Sequence, residues 1–254
     1  MNPMSLFDLT GRVAIVTGGT RGIGRAISEG FAAVGASVVV ASRKADACAD
    51  TEKAIIASGG KAVGVPTHMG DMDAVAMLVD RAVDHFGSID IVVNNAANGL
   101  TMPIEDLTDA AWQKSYSVNL QGPVFLAKAA LPHLRKSDHA AVLNVISVGA
   151  ITWAPSTSMY AGAKAALLAY TRNMAAEWAG DGIRVNALAP GTVDTDMVRN
   201  LGPGAIDRMK DLSWLKRVAD AEEMIGPALF LVSDASSYVT GQLLIADGGY
   251  AVAR

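Results

Sequence analysis

Residues 12–24 read RVAIVTGGTRGIG. The β-branched run predicts a buried strand over Arg12–Thr17. Glycines follow at 18, 22 and 24. Beyond them Ile23, Ile27, Phe31 and Val34 recur roughly on one helical face, which predicts a helix over Gly22–Val34. Glycine permits a tight turn and the close approach of a bulky anion to the main chain. A helix N-terminus leaves unpaired N–H groups pointing at that anion. Elsewhere such a turn would be a plain strand–helix connection. Placed after the first strand and opening a helix, it is a candidate cradle for the pyrophosphate of a dinucleotide.

The same alternation continues outward. Strands are expected at Ser37–Ala41, Ala62–Val65 (stopped by Pro66), Asp90–Asn94, Ala141–Ile146, Ile183–Ala189 and Leu243–Ala246. Helices are expected at about Asp46–Ser58, Ala74–Phe86, Trp112–Leu134, Met159–Ala179 and Glu222–Val232. Thr108 is a candidate N-cap for a helix from Asp109. Gly122 and Pro123 are expected to kink the Trp112–Leu134 helix or split it in two. Near-continuously apolar strands separated by helices imply an α/β fold. It is a doubly wound, Rossmann-type parallel sheet of about seven strands with helices on both faces. No Pro/Gly/Ser linker divides residues 1–254, so a single domain is expected. Thr192–Val218 is rich in Gly, Pro and Met without strand pattern and is expected to be a mobile substrate lid.

Composition excludes several function classes. The chain has 254 residues, is 51% apolar and carries a net charge of −4. It has no Lys/Arg run that would suit a nucleic acid. One cysteine, Cys48, leaves no disulfide framework and fits a reducing compartment. No apolar stretch approaches the roughly 20 residues that span a bilayer, and Met1–Thr10 has no leader pattern. A cytoplasmic location is expected, with no membrane partner. His68, His85, His133 and His139 are scattered without zinc spacing, so no metal site is expected.

Tyr160 and Lys164 are four residues apart, with Ser147 thirteen residues upstream of the tyrosine. On a helix the first two stand one turn apart on one face. A phenol titrates near pH 10, too high for a base in neutral water. A neighbouring ammonium lowers that value and lets the tyrosine exchange a proton with an alcohol or carbonyl oxygen. A serine hydroxyl nearby can hold the same oxygen. An aromatic ring packed on a lysine stem is the bland alternative.

These motifs together resemble the short-chain dehydrogenase/reductase family, in its compact single-domain branch, over essentially the whole chain. Thr17–Gly24 is similar to the family's TGxxxGIG cofactor loop, and Asn94-Asn95-Ala96-Ala97 to its NNAG segment. Asn119 falls at the family's helix Asn. Ser147 and Tyr160-x-x-x-Lys164 match its Ser and YxxxK. Pro190-Gly191-Thr192-Val193 matches its PG turn, Thr195 its nearby Thr, and Asp247-Gly248-Gly249 its C-terminal DGG. The resemblance implies Asn119, Ser147, Tyr160 and Lys164 as catalytic residues. It implies cofactor contacts at Gly18, Thr20, Arg21, Gly22, Ile23, Gly24, Ser42, Arg43, Asn95, Ala96, Tyr160, Lys164, Pro190, Gly191, Val193 and Thr195. Tyr160 would move the proton, Lys164 would hold the nicotinamide ribose, and Asn119 would hold a relay water. Two positions depart from the pattern. Ala97 replaces a Gly, a change the turn tolerates unless it needs positive φ. His68 stands where the family often has an adenine-contacting Asp, with Asp71 three residues on; which of them contacts adenine stays open.

An acid after the second strand would grip a ribose 2′-hydroxyl and repel a 2′-phosphate. Ala41-Ser42-Arg43-Lys44 has none there. Arg43 can clamp a phosphate with two donors, and Arg21 can approach the same group, so NADP(H) is expected over NAD(H). The expected activity is hydride transfer between NADP(H) and a small carbonyl or secondary-alcohol substrate. Leu100, Met102, Ile151, Trp153, Met197, Met209, Trp214 and Leu215 are expected to wall its pocket. A 3-oxoacyl-type reductase of fatty-acid-like thioesters is the alternative, supported by Arg217–Glu223. A non-catalytic NADP-binding sensor would be of a different class. Small residues on the Tyr160 helix (Ala161, Gly162, Ala165, Ala166, Ala169) and the Ser236–Gly249 segment fit the family's subunit contacts. A homotetramer is expected, with a dimer next.

Overall fold

The computed structural model describes residues 2–253. Among the described residues, seven strands form one parallel sheet: β1 Val13–Thr17, β2 Ser37–Ser42, β3 Lys61–Pro66, β4 Ile91–Asn94, β5 Ala141–Val145, β6 Arg184–Pro190 and β7 Leu243–Ala246. The helices are α1 Gly22–Ala33, α2 Ala45–Ala57, α3 Met72–Phe86, α4 Asp109–Tyr116, α5 Gly122–Leu134, α6 Ser158–Trp178, α7 Asp196–Arg199, α8 Ala205–Lys210 and α9 Ile225–Val232. The strand order is β3-β2-β1-β4-β5-β6-β7. It reverses direction between β1 and β4, the kind of switch point beyond whose strand ends α/β sheets hold their ligands.

Alternation along each strand decides which helix it meets. Val13 and Ile15 face the layer made by α3, α5 and α6, with Leu78, Leu126, Met174 and Trp178. Ala14 and Val16 face the opposite layer of α1 and α9, with Ile27, Phe31 and Leu231. Strands buried on both faces explain the unbroken apolar runs in the sequence. No helix among the described residues is long and apolar enough to cross a membrane.

The expected Trp112–Leu134 helix is divided. A π-helical turn, Ser117–Gln121, separates α4 from α5. Pro123 follows this turn in the first turn of α5, within a backbone that stays helical, and it offers no N–H to the ladder there. The widened turn carries Asn119, fully buried. Thr108 caps α4 as expected, its Oγ1 accepting from the Ala111 N–H at 3.2 Å. Cys48 is buried in α2, and burial pushes its thiol up, which keeps it protonated and unreactive.

Candidate active site

The strand ends at the switch point are tied together first. Thr17, closing β1, donates to the Val93 carbonyl at 3.2 Å and accepts from the N–H groups of Asn95 and Ala96 at 3.0 and 3.1 Å. The Asn95 amide donates back to the carbonyls of Thr17 and Gly18 at 2.9 and 3.3 Å. The glycine loop and the segment after β4 are therefore one unit. A Cβ on Gly24 would lie 2.2 Å from the Gly18 carbonyl oxygen and 2.3 Å from the Asn95 amide nitrogen. Only glycine lets α1 start this close to its own loop. The N-cap of α1, Arg21, makes no side-chain capping bond, which leaves the first-turn N–H groups to another partner.

Ala97 is accommodated, because positive φ among the non-glycine described residues is confined to Ser156 and Lys216. Asp71 caps α3 through Oδ1, which accepts from the N–H groups of Asp73 and Ala74 at 3.1 Å each. His68 turns its Nδ1 to the Gly70 N–H at 3.0 Å.

Ser147, Tyr160 and Lys164 come together beyond the end of β5, the strand next to β4. Ser147 follows β5 and caps a short 3-10 turn, its Oγ accepting from the Gly149 N–H at 3.1 Å. Tyr160 and Lys164 lie one turn apart on α6. Lys164 is 1% exposed and donates its Nζ to the Val145 carbonyl at 2.7 Å. That oxygen lies at the end of β5, so the lysine is pinned to the sheet. Burial lowers the Lys164 ammonium to about 8. Its Nζ stands 5.9 Å from the Tyr160 ring centroid.

One electrostatic expectation is corrected. Desolvation raises the Tyr160 phenol, and the neighbouring Ser147 hydroxyl opposes this without overcoming it. The ammonium that was to lower the phenol is turned to Val145 and is itself weakened by burial. The protein alone therefore holds Tyr160 as a neutral phenol, a proton donor.

Asn119 is engaged as well. Its Oδ1 accepts from the Asn98 N–H at 2.8 Å, and its Nδ2 donates to the Asn98 carbonyl at 2.8 Å and to Ser115 Oγ at 3.2 Å. Both donors are used, so one Oδ1 lone pair is all the side chain has left for a water. The amide instead grips both main-chain groups of Asn98 and sets the loop after β4. Sequence reasoning missed the pairing of Asn119 with Asn98 and Ser115. Ser115 lies one helical turn before Asn119, a spacing that could have flagged it.

Pro190 and Gly191 leave β6 beside β7, with the Gly191 N–H bonded to Ala246 at 3.0 Å. Val193 bridges Ala219, and Thr195 begins α7, so the base of the 192–218 segment is pinned at both ends. Arg199 grips Asp194 through two bonds of 2.8 and 2.9 Å, and Arg217 grips Glu223 through two of 2.6 and 2.7 Å. Asp247 closes the C-terminal turn, accepting from the N–H groups of Gly249 and Ala251. The expected pocket wall divides. Met197 lies on Gly99. Met209 and Leu215 line a cavity of about 210 Å³ with Thr192, Met224, Asp247 and Tyr250. Trp214 packs on Gly249.

At the end of β2, Thr20 Oγ1 donates to Ser42 Oγ at 3.0 Å. Arg43 is exposed and forms no ion pair among the described residues. Arg21 instead pairs with Asp196 at 3.3 Å.

A parallel sheet with a glycine cradle at its switch point, beside a Ser–Tyr–Lys group, defines a nicotinamide-dependent oxidoreductase. The chain belongs to the short-chain dehydrogenase/reductase family; residues 18–251 match the family model described as enoyl-(acyl carrier protein) reductase. It is 40% identical over 241 residues to cis-4-hydroxycyclohexanecarboxylate dehydrogenase of Sinomonas cyclohexanicum, covering 94% of this chain and 96% of that protein. A short-chain type dehydrogenase/reductase from Mycobacterium marinum superposes with a TM-score of 0.93 at 32% identity, over 98% of this chain and 99% of that one. A 3-oxoacyl (acyl-carrier-protein) reductase from Agrobacterium tumefaciens with NADP bound gives 0.92 at 35% identity, over 98% of both chains.

Proposed function

We propose that this protein interconverts a small carbonyl compound and its secondary alcohol with NADP(H), using Tyr160 as the proton-transferring group. The observation that carries this is the Tyr160 phenol, beside Ser147 and one turn from a buried Lys164, beyond the end of β5. The cradle suits a dinucleotide: the first turn of α1 lacks a side-chain cap, and Gly24 keeps that approach open. When bound, the nicotinamide supplies hydride to a carbonyl carbon or takes it from a carbinol carbon.

The chain's own residues do the rest. Tyr160 Oη gives its proton to the substrate oxygen in reduction and takes it back in oxidation. Ser147 Oγ, oriented by the Gly149 N–H, hydrogen-bonds the same oxygen. Lys164, held by the Val145 carbonyl one turn from Tyr160, would hold the nicotinamide ribose. Asn119 keeps the β4 loop in place through Asn98 and can offer one lone pair to a relay water.

Arg43, unpaired at the end of β2, and the acid-free Ala41–Lys44 stretch support NADP(H) over NAD(H). The cations of the 192–218 segment are engaged within the chain: Arg199 with Asp194, Lys210 with Asp207, Arg208 with the Pro203 carbonyl, Lys216 with the Asp211 carbonyl and Arg217 with Glu223. That supports an uncharged substrate over one carrying a phosphate or carboxylate at the lid. Trp112 and Phe125, exposed beside the open Ala165, Ala169 and Tyr170 of α6, support self-assembly into a homotetramer. Gly162 is occupied within its own chain, where the Tyr116 hydroxyl lies against it.

The test is a panel of ketones and aldehydes followed by nicotinamide absorbance with NADPH and NADH. Turnover with NADPH that vanishes in Tyr160→Phe while NADPH still binds is expected. Near-normal turnover in Tyr160→Phe ends the assignment.

A further inference from the structure

Arg21 stands between two sites. On one side, its neighbour Thr20 is hydrogen-bonded to Ser42 at the end of β2, the place proposed for a 2′-phosphate. On the other, its Nη1 lies 3.3 Å from Asp196 Oδ2, across 175 residues of chain. The approach is close along the main chain too. Thr195 Cγ2 lies 2.9 Å from where a Cβ on Gly22 would be, and Gly22 has φ of +49°. The base of the 192–218 segment therefore rests on the glycine loop at the residue next to Arg21.

Asp196 is ion-paired with no other cation among the described residues, though the charge of Arg199 also acts on it. Arg199, in the same short helix, is taken by Asp194 through two bonds. A guanidinium with one carboxylate on hand binds it; offered a dianionic phosphate, it must leave or share it.

We propose that Asp196 is a positioning residue that sets cofactor selectivity by competing with the 2′-phosphate for Arg21. This rests on the NADP(H) reading above. The competition weakens NADPH binding and leaves NADH, which has no 2′-phosphate, almost untouched. It also ties the lid base to the glycine loop until the phosphate takes the arginine.

The experiment is titration of NADPH and NADH into the intact wild-type protein, Asp196→Asn, Asp196→Glu, Arg21→Ala and the Arg21→Ala/Asp196→Asn double variant. Both side chains are more than half exposed, so the competition is worth a modest factor. Asp196→Asn should tighten NADPH about threefold and leave NADH unchanged, with the gain fading in high salt. Asp196→Glu should restore wild-type affinity. In the Arg21→Ala background, Asp196→Asn should have no effect on NADPH. Equal tightening of both cofactors, a gain that survives loss of Arg21, or no gain at all overturns the proposal. The underlying reading fails separately: wild-type protein would then bind NADPH no better than NADH, and Arg21→Ala would change neither.

Discussion

Lys164→Met should make the protein more stable and inactive at once. Lys164 is 1% exposed, and burial lowers its ammonium from 10.5 to about 8. At pH 7 the native state therefore holds a charge that it would rather release. A depression of that size corresponds to about 3 kcal/mol of destabilisation at neutral pH. Methionine fills much of the same volume without the charge. Against this, the substitution removes the 2.7 Å bond to the Val145 carbonyl and leaves a buried acceptor unpaired, at a cost of about 1–3 kcal/mol. The net expectation is a gain of about 1 kcal/mol, or roughly 2–4 °C in Tm. The pH dependence is sharper. Between about 8 and 10.5 the unfolded chain holds more protons at this residue than the native protein, so wild-type stability rises with pH. The advantage of Lys164→Met should shrink by about 2 kcal/mol from pH 7 to pH 9.5. Urea unfolding of both proteins at one concentration across that range measures it. A flat difference, or a variant weakened by more than about 2 kcal/mol at pH 7, would refute the claim that an uncompensated buried ammonium dominates here.

Other consequences are smaller in scope. Gly24→Ala should weaken NADPH binding more than about tenfold and cost about 1–3 kcal/mol, because its Cβ meets the Gly18 carbonyl, a main-chain atom that cannot swing aside; thermal shift with and without NADPH reads both effects. Asn119→Leu should cost about 2–4 kcal/mol in urea unfolding, since it strips partners from the Asn98 N–H and carbonyl together. Asp234→Asn should destabilise by about 1–3 kcal/mol at pH 7, because Arg12, 6% exposed, keeps its charge and loses its 2.7 Å partner. Burial pushes the Asp234 carboxyl up, but Arg12 and His139 together hold it below its ordinary 3.8. Its contribution is present above that value and is lost as pH falls below it. Wild-type stability should therefore drop faster than that of the variant between pH 5 and pH 3.

What could be read beforehand was local. The strand, glycine turn and helix of residues 12–33 announce themselves through patterns a few residues long, as do the Thr108 cap and the Tyr160–Lys164 step. The break at Ser117–Gln121 was announced by Gly122 and Pro123, but its π-turn form and the bond from Asn98, 21 residues away in sequence, to Asn119 were not. The position of Asp71 left its adenine contact open; the structure adds that its Oδ1 caps the start of α3. Arg21 looked free for phosphate until Asp196 came alongside from a distant segment.

By itself the sequence determined the doubly wound fold and the candidate residues, because side-chain period, turn chemistry and spacing along one helix are short-range properties. Tertiary structure alone decided how those residues are charged and occupied. A lysine one turn from a tyrosine should lower the phenol; burial at the end of β5 weakens the lysine, turns it to Val145 and raises the phenol instead. Desolvation and long-range pairing depend on everything packed around a group, and no stretch of chain carries that information in its own letters.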